Sequence, residues 1–159
     1  MPANTHLEEV LNQYRNGAIS LDEASVAIEG LRLERLGEFA CLDLGRGVRC
    51  GMPEVILAEG KDAENLAAIA IRQTQAAGRC VVTRITPEQA GLVMEQAAAQ
   101  KIATMYRKQG RVLVLSTGAA PKKNGGIVGI ITAGTSDIPV AEEAKVIAEE
   151  MGCTVRTAY

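Results

Sequence analysis

Apolar residues recur at helical spacing from the start of the chain. Leu7, Val10, Leu11 and Tyr14 share one face of a helix predicted over residues 5–16, which Asn16-Gly17 ends. Ser20-Leu21-Asp22-Glu23 reads as a capping box, because a Ser hydroxyl and a Glu three positions on can each satisfy an orphan amide. The helix that follows is predicted to run to about Arg35, with Ala24, Ala27, Ile28, Leu31 and Leu33 on its apolar side. Together these predict a helical hairpin arm over residues 1–36, of a kind that packs on another subunit.

Residues 38–51 show no period, although Asp43, Arg46 and Arg49 recur in them three apart. Strands and helices then alternate. Residues 53–58 read as a strand stopped by Gly60, and Lys61-Asp62 opens a helix that turns Leu66, Ala67, Ile69, Ala70 and Ile71 inward until Gly78. A strand over residues 79–85 precedes Thr86-Pro87-Glu88, where a hydroxyl cap, a proline and a first-turn carboxylate start a helix that reaches about Gln100. Strands over residues 102–107 and 112–115 are joined by the turn Lys108-Gln109-Gly110-Arg111. This alternation predicts a small α/β domain over residues 37–117. Residues 118–126 have the composition of a surface loop and form a linker.

The last segment, residues 127–159, reads strand–helix–strand. Ile127 to Ile131 is an apolar run of the kind a buried strand shows, and Pro139 stands in the first turn of a helix expected to bury Val140, Ala144, Ile147 and Ala148 before Gly152 stops it. A strand completes the unit from Cys153 to Ala158. Two such strands are expected to lie parallel, as the beginning of a doubly wound, flavodoxin-like sheet. A parallel sheet needs cover on both faces, so further strands are expected from elsewhere in the polypeptide or from a partner. Gly134, Thr135, Ser136 and Asp137 fill the turn between strand and helix. That turn sets backbone amides and three polar side chains at the carboxyl end of a sheet, where open α/β folds bind nucleotides.

Composition narrows the choices. Apolar residues make up 47% of the 159 residues, enough for a core, while aromatics are only 3%. The formal charge is −2 and no basic block stands out, which disfavours nucleic acid. The apolar runs are too short for a membrane span, and the N-terminus lacks the pattern of a signal peptide, so a cytoplasmic location is expected. Cys41, Cys50, Cys80 and Cys153 contain no Cys-x-x-Cys pair and there is one histidine, His6, which argues against a metal site. The cysteines read as reduced, buried or half-buried small residues, with a reactive thiol conceivable at Cys41 or Cys50 beside the charged segment. Met94, Met105 and Met151 fall on apolar faces expected in the core.

The run from Ala133 to Ala144, with its Gly134-Thr135-Ser136-Asp137 turn, resembles the opening of class I phosphoribosylaminoimidazole (AIR) carboxylases, which carry a Gly-Ser-x-Ser-Asp turn after their first strand. It is more similar still to the nickel pincer cofactor synthases of the LarB family, which join a carboxylase-like domain to an additional N-terminal one. That family's N-terminal signature stands here as Asp43, Arg46, Arg49, Gly51, Pro53-Glu54-Val55, Gly60-Lys61 and Thr83-Arg84. The resemblance implies an enzyme that carboxylates the pyridinium ring of nicotinic acid adenine dinucleotide with carbon dioxide or bicarbonate and cleaves its phosphoanhydride, releasing AMP. It implies Mg2+ and a homo-octamer in full-length members. It also implies a catalytic cysteine that lies beyond Tyr159, so this chain by itself is expected to be inactive. A purine-pathway AIR carboxylase relative and a non-catalytic nucleotide-binding module remain the alternatives.

On this reading Gly134, Thr135 and Ser136 would meet phosphate. Asp137 would accept from ribose hydroxyls, unless it and Ser136 merely cap the helix. Arg46, Arg49, Lys61 and Arg84 form a cationic set suited to phosphate and carboxylate, or else solvated charges and salt bridges to Asp43 and Glu54. Glu142 and Glu143 are well placed for the helix dipole.

Overall fold

Side-chain capping starts three helices in the computed structural model of this chain, which describes residues 4–38, 40–52, 54–118 and 120–159. Pro53, expected to begin a strand, and the thiol of Cys50 lie outside the described residues. The chain divides into two compact units, residues 1–52 and 53–159.

In the first unit, helix α1 spans Asn4–Arg15, and Gly17 takes the left-handed conformation (φ +71°) that ends it. Helix α2 spans Leu21–Gly30 behind the expected capping box: the Glu23 amide donates to the Ser20 hydroxyl at 3.2 Å and the Ser20 amide to the Glu23 carboxylate at 2.8 Å. The expectation that α2 continues to Arg35 is corrected. The helix stops at Gly30, and Leu33–Leu36 forms strand β1, antiparallel to β2 at Ala40–Asp43. Residues 38–51, which show no period, hold β2 and the short helix α3 at Arg46–Cys50. Elements of four and five residues are too brief to display a period. Val10, Ala24 and Leu42 are buried here, while Leu11 and Tyr14 are half-exposed.

The second unit begins with strand β3 (Val55–Leu57), helix α4 (Ala63–Ala77), strand β4 (Arg79–Thr83), helix α5 (Pro87–Ala99) and the hairpin strands β5 (Ala103–Arg107) and β6 (Val112–Ser116). Asp62 caps α4 by accepting from the Asn65 amide at 2.9 Å, and Gly78 ends it at φ +79°. Thr86 and Gln89 form a second capping box ahead of Pro87. The sheet runs β3-β4-β6-β5, with β3 and β4 parallel and the other pairings antiparallel. Alternation sorts its faces. Cys80 and Val82 of β4 sit across from Leu115 and Leu113 of β6 on one side. Val81 sits across from Val114 on the other. Helix α4 is packed so closely that Leu66, Ala67, Ile69, Ala70, Ile71 and Thr74 are all buried.

Strand β7 (Ile127–Ile131), helix α6 (Ile138–Glu150) and strand β8 (Thr154–Ala158) follow, with β7 and β8 parallel as the sequence predicts. Two expectations are corrected. Strand β7 is not buried: Ile127 is 67% and Ile131 83% exposed. Helix α6 leaves Val140 and Ala144 exposed and buries Ala141 and Val146. The cause is α6's partner: Val146 packs with Val81, Val112 and Val114 of the four-stranded sheet, with Val55 and Ile147 beside them. The bidentate pair of Arg79 with Glu150 fastens the far end of the helix, at 2.7 Å for each bond. The linker is pinned as well, since the Asn124 side chain donates to the Met151 carbonyl at 3.0 Å and its amide to Gly152 at 3.1 Å.

Met105 and Met151 are exposed rather than in the core. Cys41 is exposed, contrary to expectation, Cys153 is half-buried, and burial with the nearby Glu54 charge pushes the Cys80 thiol up. No helix among the described residues is long and apolar enough to cross a membrane.

Candidate functional site

Asp43 and Arg49 of the first unit form an ion pair of their own. Asp43 ends β2, and Arg46 and Arg49 lie three apart on α3, which sets them on neighbouring parts of one face. The Arg49 guanidinium donates to the Asp43 carboxylate and to the Gly30 carbonyl. That contact ties α3 back to the end of α2. The second Asp43 oxygen, Oδ1, is buried with no hydrogen bond among the described residues.

The second unit gathers its polar groups where β3 and β4 end. Beyond β3, Lys61 Nζ donates to the Leu57 carbonyl at 2.9 Å. Beyond β4, Arg84 adopts φ +52° and pairs with Glu59 at 3.3 Å. Arg111, which leads into β6, also has φ +52°. Its guanidinium donates to the carbonyls of Arg84 at 2.9 Å and Ile85 at 3.4 Å, and the Ile85 amide donates back to the Arg111 carbonyl at 3.0 Å. Two non-glycine residues in the left-handed region are thus held by reciprocal bonds.

These groups face the first turn of α6 across an open cleft of about 280 Å3, lined by Glu59, Arg84 and Arg111 together with Pro139, Val140 and Glu143. Gly110 lets the helix come this close, since a Cβ there would lie 3.0 Å from backbone atoms of Glu142 and Glu143.

Ahead of that turn, Thr135–Asp137 forms a single 3-10 turn in which the Asp137 amide donates to the Gly134 carbonyl at 3.1 Å. Thr135, Ser136 and Asp137 are exposed. Asp137 is the N-cap residue of α6 but makes no side-chain capping bond, and the Ser136 hydroxyl reaches only its neighbour's carboxylate at 3.4 Å. The capping alternative is therefore not what these side chains do. Glu142 is occupied by Tyr159, whose hydroxyl donates to it and is pushed up by that bond, while Glu143 turns to the cleft.

The fold thus brings Arg84 to the helix that Gly134, Thr135, Ser136 and Asp137 introduce, and Lys61 does not line the cleft. Asp43, Arg46 and Arg49 belong to the other unit. Glu59 and Arg111 were not legible as site residues. Nothing in an Arg at the end of a turn announces a left-handed backbone, and the Glu59–Arg84 pair joins residues 25 apart. Two of this unit's ion pairs differ in kind. Arg84 and Glu59 have side chains 56% and 64% exposed, and such pairs contribute ~0–1 kcal/mol. Arg79–Glu150 is bidentate, with Glu150 only 6% exposed. The first can exchange partners and the second is structural. No group of three or more His, Cys, Asp or Glu residues among the described residues could hold a metal ion.

The family model described as LarB/PurE-like N-terminal domain matches residues 33–117, more than half of the chain. The "Uncharacterized protein MJ0165" of Methanocaldococcus jannaschii is 35% identical over 155 residues, covering 97% of this chain and 60% of that protein. The chain thus spans about 60% of the relative's length. Strand β1 through strand β6, the segment that supplies Arg49, Lys61, Arg84 and Arg111, lies within the family match. On these grounds the chain belongs to the LarB/PurE-like N-terminal domain family.

Proposed function

We propose that this chain is the N-terminal part of a carboxylase that adds a carboxyl group to the pyridinium ring of nicotinic acid adenine dinucleotide and cleaves its phosphoanhydride, in nickel pincer cofactor biosynthesis. The observation that carries the reading is the exposed, uncapped turn at Thr135–Asp137. Helix N-terminal amides that no side chain satisfies favour an anion, and a glycine beside them lets a phosphate approach the backbone. Thr135 and Ser136 have hydroxyls to donate to phosphate oxygens. The Asp137 carboxylate, repelled by phosphate, suits ribose hydroxyls. Arg84 adds a cation across the cleft. The full-length protein would take carbon dioxide or bicarbonate as its second substrate and assemble as a homo-octamer in the cytoplasm.

The test is an assay of the full-length gene product with nicotinic acid adenine dinucleotide, bicarbonate and magnesium, read by mass spectrometry. AMP and a doubly carboxylated mononucleotide are the expected products. Turnover of aminoimidazole ribonucleotide alone would replace this reading with a purine-pathway carboxylase. Nucleotide binding without any product would make the protein a non-catalytic binding module.

Asp137→Ala should weaken nucleotide binding by about tenfold in calorimetry, equivalent to ~1.4 kcal/mol. The melting temperature should hold, because no capping bond is lost. Unchanged affinity would remove Asp137 from the site.

A further inference from the structure

We infer that the cleft between Glu59, Arg84 and Arg111 binds a single oxyanion of a small molecule, and that Glu59 competes with this ligand for Arg84. The inference concerns the four-stranded sheet rather than the Gly134 turn, and it holds whichever reaction the protein carries out.

Position is the first ground. Strands β3 and β4 run parallel; Arg84 directly follows the carboxyl end of β4, and Glu59 follows that of β3 after Ala58. Open α/β sheets receive ligands in just that crevice. The second ground is the chemistry of the two arginines. A guanidinium binds carboxylate or phosphate oxygens through two parallel N–H bonds. Arg111 commits Nε and Nη2 to the carbonyls of Ile85 and Arg84, which fixes its plane and leaves Nη1 for a ligand. Arg84 is held by its backbone but not by its side chain, whose contact with Glu59 is long (3.3 Å) and water-exposed. An oxyanion offering two oxygens can displace that carboxylate.

Size and charge define the ligand. About 280 Å3 suits an oxyanion and the ring or short chain that bears it, and is too small for a whole dinucleotide. Glu59 and Glu143 balance Arg84 and Arg111, so the lining is neutral and disfavours a polyphosphate. A carboxylate and a phosphate monoester share the required chemistry.

The experiment titrates this chain with nicotinate, as the carboxylate probe, and with AMP, as the phosphate probe, by calorimetry. Binding of either one supports the site when Glu59→Gln tightens it, because AMP held at the Gly134 turn would not respond to that change, and the tighter of the two identifies the oxyanion. Arg84→Ala should weaken that binding at least tenfold. Glu59→Gln should tighten it about fivefold, because the competing charge is gone while the side chain's shape stays. Melting curves check that Arg84→Ala is folded, and Glu59→Gln decides the matter alone if it is not. An affinity unchanged or weakened by Glu59→Gln, or no binding of either probe at millimolar concentration, overturns the inference. The Gly134 turn is read separately through Asp137→Ala, so failure here leaves that reading to its own test.

Discussion

Replacing Gly152 with alanine should destabilise the chain by about 3 kcal/mol, among the largest losses open to a single methyl group. Gly152 closes helix α6 at φ +86°, a conformation that costs an L-residue roughly 1–2 kcal/mol. Its amide donates to the Glu149 carbonyl at 2.9 Å and its carbonyl accepts from Asn124 at 3.1 Å, so the backbone cannot relax without losing both bonds. An added Cβ would also collide with the Lys122 carbonyl oxygen and lie 3.2 Å from the carbon that bears it. The linker would have to lift off the α6–β8 turn, taking the Asn124 contacts with it. Urea titration should show a lowered midpoint at unchanged slope. A loss below about 1 kcal/mol would mean that the linker does not pack where it stands here.

Breaking the Arg79–Glu150 pair should cost as much by a different route. Arg79→Ala leaves the Glu150 carboxylate 6% exposed and without its two 2.7 Å bonds. Removing one partner of a buried pair typically costs 3–5 kcal/mol, and the 24% exposure of Arg79 places the expectation near 3 kcal/mol. Glu150→Ala should cost somewhat less, because Arg79 at the start of β4 can turn toward water. The double substitution should fall well short of the sum. Strict additivity in that cycle would show that the two side chains do not act as a pair. Both substitutions act on α6, the helix whose first turn forms one side of the cleft, so each should also weaken whatever ligand the corner binds.

Much of the fold was legible because it is written in short-range chemistry. Ser20 with Glu23, Asp62 with Asn65 and Thr86 with Gln89 each close a hydrogen bond across three residues, and Gly78 supplies the left-handed stop the sequence implies. The inward face of α4 was readable too, because its apolar residues are so dense that any packing buries them. The misreadings fall where the pattern was short or the partner distant. Strand β1 lies inside what the spacing continued as a helix, and α3 inside a stretch without period.

The candidate site divides the same way. Gly134, Thr135, Ser136 and Asp137 were visible as a strand-to-helix turn, and the structure leaves their polar groups exposed. The face of α6 was misread: alone, its sequence offers Val140 and Ala144 as readily as Ala141 and Val146, and only contact with Val81, Val112 and Val114 selects the second pair. Arg111 and Glu59 join the corner through bonds to residues 25 to 27 positions away, which no local pattern encodes.

The amino-acid sequence by itself determined where α2, α4, α5 and α6 begin, where Gly17, Gly78 and Gly152 end a helix, and that a polar turn introduces α6, because those choices rest on bonds within one turn of backbone. Which face of α6 is buried, and which arginines stand opposite its first turn, were settled only when the valines of β4 and β6 came together. A side chain's partner across a sheet is set by the packing of the whole and by nothing within reach of its neighbours in sequence.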